Sequence, residues 1–445
     1  MTAFSLEPAQ LAWCEHLRTL AAERLRPLAD KGEPGHVNRP LVAELGALGL
    51  LARLFTSGAL DLCLMRESLA YACTEAETAL ALQGLGAHPV YAHGTETQRA
   101  RWLPRVSDGT AVAAFALSEP AAGSDAAALT LRAEPTGTWN AAGGTGPAGE
   151  RGVADGAGSA GPRDATGVAG AQGASVRSRG GSRSDARPDD TAAPTLAAEP
   201  DGRSAWRLTG EKCWISNAPE ADFYTVFART TPGAGARGVT AFLVPADRPG
   251  LTGTPLDMLS PHPIGALAFD AVPVTAADVL GEPDRGFRVA MGTLNLFRPS
   301  VGAFAVGMAR AALDATLAHT SAREAFGGRL RDLQTVSHQV AEMALRTEAA
   351  RLMVYAAATA YDENAPDVPR RAAMAKLLAT ETAQYVVDKA VQLHGARALQ
   401  RGHLLEHLYR EVRAPRVYEG ASEVQRDIIA KELYRTQDTT GEAGA

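Results

Sequence analysis

The segment RVYEGASEVQR, residues 416–426, sets one carboxylate, Glu419, between Tyr418 and Gly420 in a short lead-in to a helix. Ser422 followed three residues later by Gln425 and an amphipathic run has the form of a capping box, which predicts a helix start at Ser422. The glycine after the glutamate lets the backbone pass close to another group. A carboxylate in such a turn is either a solvated loop residue or, where water is excluded, a proton acceptor. Two further stretches carry polar groups at strand ends. AFALSEPAAGSD (114–125) leaves an apolar strand through Ser118, Glu119 and Pro120, then turns at Gly123, Ser124 and Asp125. Its hydroxyls and free N–H groups suit the edge of a flat polar ring, or an ordinary strand exit. GEKCWISN (210–217) places Trp214 in a strand ahead of Ser216 and Asn217, a pattern more often of β-core than of a ligand platform.

The elements that must position these residues follow from hydrophobic spacing. Residues 1–112 read as helix, with apolar residues three and four apart in LAWCEHLRTLAAERLRPLA and PLVAELGALGLLARL. Residues 113–283 change to short aromatic and β-branched runs such as FYTVFART and GVTAFLVP, separated by turn residues, which predicts a β-domain. Residues 284–445 return to helix. There Leu333, Val336, Val340 and Met343 form one apolar stripe, as on a bundle helix. Within the β-domain, residues 135–204 are rich in Gly, Ala, Arg, Ser and Asp and hold a single leucine, Leu196. Such a segment buries too little apolar surface to offset its ordering entropy, so disorder is expected. Its two GxGxxG matches, 144–149 and 156–161, neither follow a strand nor open a helix and carry no nucleotide-site argument.

Composition narrows the classes. A chain of 445 residues with 46% apolar and 21% charged residues is long enough for several domains and a large core. A net charge of −6 speaks against a nucleic-acid surface as the main business. No run approaches about 18 uninterrupted apolar residues, so no membrane span is expected. The opening residues lack a basic start and a cleavage site, which predicts no signal peptide and a cytoplasmic location. Cys14, Cys63, Cys73 and Cys213 form no CxxC pair, and the ten histidines form no metal-ligand spacing.

Taken in order, AFALSEPAAGSD, LTGEKCWISN, AREAFGGRLRDLQTVSHQVAEM, AVQLHGARAL and YREVRAPRVYEGASEVQR resemble the acyl-CoA dehydrogenase family of flavoproteins, over about residues 38–435 without the insert. The resemblance implies an α+β multidomain fold: an N-terminal helical domain, a middle β-barrel-like domain and a C-terminal four-helix bundle. It implies FAD as cofactor and α,β-dehydrogenation of an acyl thioester, either acyl-CoA or acyl-carrier protein. It places Phe115, Leu117, Ser118 and Ser124 on the flavin, with Ser124 also touching the CoA side of the thioester. Trp214 and Ser216 would flank the isoalloxazine, and Glu423 would join the flavin contacts. Arg323, Phe326 and Gln334 would hold the FAD of a neighbouring subunit, and Gln392 and Gly395 would lie beside the adenosine phosphates. Asn295, Arg298 and Gly420 would serve the substrate, and Glu419 matches the catalytic base.

The resemblance further implies a homo-oligomer, a dimer of dimers, and an electron-transfer flavoprotein as acceptor. Some members carry the base one residue ahead of the matching arginine. Phe297 stands there, and phenylalanine cannot take a proton. Departures fall at Asn295, which replaces an acid, at Ala396 and Ala398, which replace glycines, and at Ala421, which replaces a threonine. A flavin oxidase or monooxygenase on the same fold, or a non-catalytic binding or scaffold protein, is the alternative.

Overall fold

A computed structural model describes residues 6–136 and 206–442. Local signals account for much of the N-terminal helical part. Asn38 caps the helix Arg39–Ala47 by accepting from the Leu41 N–H at 3.1 Å. Thr95 and Gln98 form a reciprocal capping box at the start of Glu96–Ser107. Between these lie the helices Leu50–Thr56, Ala59–Ala72 and Thr74–His93. The last two are buried on more than one face because the sheet and the C-terminal helices pack around them.

The middle region is one eight-stranded sheet. Its path runs Leu251–Pro255, Ile264–Val274, Trp206–Ser216, Arg132–Pro135, Phe223–Arg229, Val239–Pro245 and Val279–Leu280. Ala113–Ala116 pairs in parallel with Phe223–Arg229, with Ala113 opposite Phe223 and Phe115 opposite Thr225. One face of the sheet closes a core around Leu208, Tyr224, Phe242 and Val272. The other packs Phe223, Phe227 and Leu243 against Trp102 and Val289 of the helices. Burial on both faces explains the continuous apolar runs of Phe223–Arg229 and Val239–Pro245.

Arg132–Pro135 and Trp206–Ser216 are antiparallel neighbours, with Pro135 opposite Trp206. The expected disordered insert, 135–204, lies outside the described residues apart from Pro135 and Thr136.

The C-terminal helices Gly286–Ala322, Gln334–Asp362, Val368–His394 and Ser422–Glu442 pack together, and Ala59–Ala72 joins them through a shared core. Gly286–Ala322 is long and apolar enough to cross a membrane by length and composition alone. Most of that apolar stretch is buried inside the protein, as the central helix of the bundle.

Candidate active site

The turn carrying Glu419 is held from three helices. Glu419 adopts φ +51° and Gly420 φ +92°, so two successive residues occupy the left-handed region. For a residue with a side chain that conformation costs about 1–2 kcal/mol and persists where its surroundings over-determine it. The two carbonyls of the turn receive those constraints. Arg298 Nε donates to the Glu419 carbonyl at 3.4 Å, and Gln425 Nε2 donates to the same oxygen at 3.1 Å. Gln425 Nε2 also donates to the Gly420 carbonyl at 2.9 Å, and Lys376 Nζ donates to it at 2.7 Å. Arg298, Gln425 and Lys376 are all buried.

The capping box expected at Ser422 does not form in that way. The helix does begin at Ser422, but the Ser422 hydroxyl donates to Glu381 Oε1 at 2.6 Å. Gln425 turns back to the buried carbonyls of residues 419 and 420. Among the described residues no backbone N–H reaches those oxygens, and the Gln425 amide satisfies them instead of closing a local cap.

The Glu419 carboxyl is the unusual group here. Its Oε2 is buried and has no hydrogen-bond partner among the described residues. Burial pushes the carboxyl above its ordinary range, opposed in part by the charges of Arg66, Lys376 and Arg298. Arg66 is buried and ion-paired with Glu77, and it donates to Ser300 Oγ at 2.6 Å. Arg298 Nη1 donates to Asn295 Oδ1 at 3.2 Å, so Asn295, Arg298, Glu419 and Gly420 come together, while Ser124, the fourth residue expected at the substrate, makes no hydrogen bond to them among the described residues. Phe297 is buried one residue before Arg298. Its ring lies so close to Gly84 that a methyl group on Gly84 would sit 2.8 Å from Cζ.

A second set gathers at the strand ends. The Cys213 N–H donates to the Ser118 carbonyl at 3.0 Å, which brings Leu117 and Ser118 alongside Trp214. Trp214 sits where the pairing with Ile264–Val274 shifts register, at φ +57°, and is 48% exposed. A strand tryptophan used only as core would be buried. Here the irregularity turns its ring outward. Ser216 is half-buried and Ser124 exposed, while the Phe115 ring packs on Phe227 with centroids 4.9 Å apart.

The third set lies far from the first along the bundle. Arg323 and Phe326 belong to the hairpin Glu324–Ala325/Gly328–Arg329, and Gln334 opens the next helix. All three are exposed, Phe326 by 90%. Arg323 and Arg298 are 25 residues apart on one continuous stretch, which at 1.5 Å per helical residue is about 37 Å. Gln392 and Gly395 lie at the same end, because His394 stacks on His319 with centroids 4.1 Å apart. Glu423 is largely exposed and pairs with Arg426 at 3.4 Å. Within one chain, therefore, the hairpin set and the Glu419 set do not meet.

Sequence reasoning missed Lys376, Arg66 and the Lys212–Glu119 pair. Lys376 interrupts the apolar stretch AAMAKLLA, and a lone lysine on an otherwise buried helix face was the signal available.

The chain's fold has known counterparts. The chain belongs to the acyl-CoA dehydrogenase family. Residues 7–110, 181–272 and 284–434 match its N-terminal, middle and C-terminal domains. The mitochondrial short-chain specific acyl-CoA dehydrogenase of Bos taurus is 31% identical over 431 residues, covering 94% of this chain and 88% of that protein. "Probable acyl-CoA dehydrogenase FadE25" of Mycobacterium tuberculosis is 31% identical over 376 residues, covering 84% of this chain and 80% of that one. The solved structure of butyryl-CoA dehydrogenase from Megasphaera elsdenii superposes with a TM-score of 0.77 at 27% identity, covering 97% and 99% of the two chains.

The family's enzymes are FAD-dependent oxidoreductases, and this chain fits such a cofactor. Trp214 offers an outward aromatic face beside the Leu117–Ser118 strand exit, as a flat ring system requires.

Proposed function

We propose that this enzyme desaturates small to medium acyl-CoA thioesters, with Glu419 removing the α-proton. The observation that carries this reading is the Glu419 carboxyl: its Oε2 is buried and unpaired among the described residues, its affinity for a proton is raised above the ordinary range, and its turn is fixed through the backbone. The α-proton of a thioester is weakly acidic. A carboxylate shifted toward neutrality is a better-matched base than a solvated one, and exclusion of water keeps it so. The Glu419 N–H makes no hydrogen bond among the described residues and is the donor for the thioester oxygen, where negative charge develops as the proton leaves. Bound FAD supplies the acceptor for the β-hydride, a role no side chain can fill.

The remaining assignments follow this frame. Leu117, Ser118, Ser124, Trp214 and Ser216 serve the flavin ring, with Phe115 behind them and Glu423 at the margin. Arg298, Asn295 and Gly420 face the thioester arm. Arg323, Phe326 and Gln334 reach the FAD of a second copy of the chain, in a homo-oligomer arranged as a dimer of dimers. The roughly 37 Å between the two sets supports that division. Gln392 and Gly395 serve the adenosine phosphates, and an electron-transfer flavoprotein is the acceptor.

Anaerobic titration of the FAD-loaded protein with a panel of acyl-CoAs and acyl-carrier thioesters, read by flavin bleaching, tests the substrate class. Glu419→Gln should keep FAD and lose about two to four orders of magnitude in rate. Turnover within about threefold of wild type would falsify the role of Glu419.

A further inference from the structure

The Glu419 turn is fixed by three side chains, and one of them has no evident structural reason to be charged. Lys376 is fully buried on the helix Val368–His394, and its Nζ donates to the Gly420 carbonyl at 2.7 Å. No carboxylate forms an ion pair with it among the described residues. A buried ammonium in that state is costly, and a methionine of similar length would pack the same space without the penalty. Arg66, the other buried cation near the carboxyl, is already neutralised by Glu77.

We infer that Lys376 is a positioning residue for the reaction: it fixes the Gly420 carbonyl so that Glu419 keeps its left-handed backbone, and it lends the carboxylate a buried positive charge. This rests on the reading of Glu419 as the base. The donor function follows from distance and burial. The charge function follows from the groups that face Glu419. From Ala59–Ala72 comes Arg66, from Thr74–His93 Glu77, from Gly286–Ala322 Arg298 and from Val368–His394 Lys376. Glu381, also on Val368–His394, pairs with Arg416 at 2.9 Å, and Glu411 is taken by His262 at 2.6 Å. Tyr418 adjoins the carboxyl in the turn, and Glu423 lies beyond it, largely exposed. Arg66, Lys376 and Arg298 thus offset the burial of Glu419 together, and Lys376 and Arg298 are the two of them without a carboxylate ion pair among the described residues. Burial also brings Lys376 itself down to about 8, so its charge is present at neutral pH.

The test uses the FAD-loaded enzyme at saturating acyl-CoA from about pH 6 to 9, comparing wild type, Lys376→Met, Lys376→Gln and Glu419→Gln by anaerobic flavin reduction. Lys376→Met should keep FAD, slow reduction by about tenfold or more, and move the acid limb of the profile to higher pH. Lys376→Gln keeps an N–H donor without the charge. It should recover part of the rate while showing the same displaced limb. Substrate-free infrared spectra give a readout independent of turnover: the carboxyl band missing from Glu419→Gln should titrate at higher pH in Lys376→Met. A Lys376→Met enzyme with wild-type rate and limb overturns the inference, as does a slower enzyme whose limb and infrared midpoint stay in place. If Lys376→Met does not retain FAD, Lys376→Gln decides by its limb and infrared midpoint. An inactive Glu419→Gln beside an unaffected Lys376→Met removes only the lysine's role, whereas an active Glu419→Gln removes the base assignment itself.

Discussion

Lys212 Nζ lies 2.8 Å from Glu119 Oε1 and 2.9 Å from the Leu117 carbonyl, with both side chains closed off from solvent. The remaining capacity of Glu119 is filled by the Thr130 N–H at 2.6 Å, the Thr130 hydroxyl at 2.8 Å and the Leu131 N–H at 2.9 Å. This buried cluster anchors the strand exit that presents Ser118, and it ties that exit to the strand carrying Trp214. The glutamate of the SEP turn is therefore an internal strut, and the Ser118 hydroxyl beside it makes no hydrogen bond among the described residues.

Removing the cation should expose that dependence. Lys212→Met leaves a buried carboxylate with amide donors but no counter-charge, and a loss of about 3–5 kcal/mol in unfolding free energy is expected, with weaker FAD retention. Burial alone would raise the Glu119 carboxyl, but Lys212 and the Thr130 and Leu131 N–H groups hold it below its ordinary value. A depressed carboxylate contributes stability that is present above its unfolded pKa and lost as pH falls through the folded one. Wild type should therefore lose stability in acid more steeply than Glu119→Gln. Urea melts across that range check both statements, and unchanged stability in Lys212→Met would mean the pair is dispensable.

Glu419 has the opposite sign. Its folded carboxyl is raised by burial, so its contribution is fully present below the unfolded pKa and is lost as pH rises through the folded value. At about pH 8 the wild-type chain carries a penalty that Glu419→Gln lacks. The variant should melt higher there, with the gap closing toward about pH 4. A Glu419→Gln protein that melts lower than wild type at alkaline pH would show that its carboxylate is well solvated.

Arg323→Ala should reduce FAD retention and, with it, the oligomer. A guanidinium facing a pyrophosphate makes charge-assisted, often bidentate hydrogen bonds that alanine cannot replace. The neighbouring Phe326 is 90% exposed, so among the described residues nothing covers this ring. FAD per chain and molecular mass after gel filtration in high salt measure the effect, and wild-type stoichiometry would count against the role.

Replacing residues 136–205 by Asn-Gly should leave folding and FAD binding intact. Pro135 and Trp206 face each other across an antiparallel pair, which is the geometry a two-residue turn closes. Each halving of a loop is worth only about 0.6 kcal/mol, so a small gain in stability is expected. Rates with a dye acceptor and with the protein acceptor then separate a passive insertion from a docking element: loss with the protein acceptor alone marks docking.

Sequence by itself determined the order of helical, β and helical regions, because hydrophobic period is a local property that tertiary packing here reinforced. It also marked Glu419, Trp214 and the SEP exit as candidates, through the resemblance that their motifs carry in order along the chain rather than through residue type alone. Tertiary structure decided how those residues are held. Ser422 and Gln425 have the spacing of a cap, yet Ser422 is claimed by Glu381, 41 residues away in sequence, and Gln425 by two carbonyls behind it. Lys376 reads in sequence as a polar break on an apolar helix face, and its partner is a carbonyl 44 residues on. Left-handed φ at Trp214 and Glu419 has no local signature, because neither residue favours it and only their surroundings impose it. Buried polar groups must find partners wherever the fold brings them, and the fold, not the spacing along the chain, sets that list.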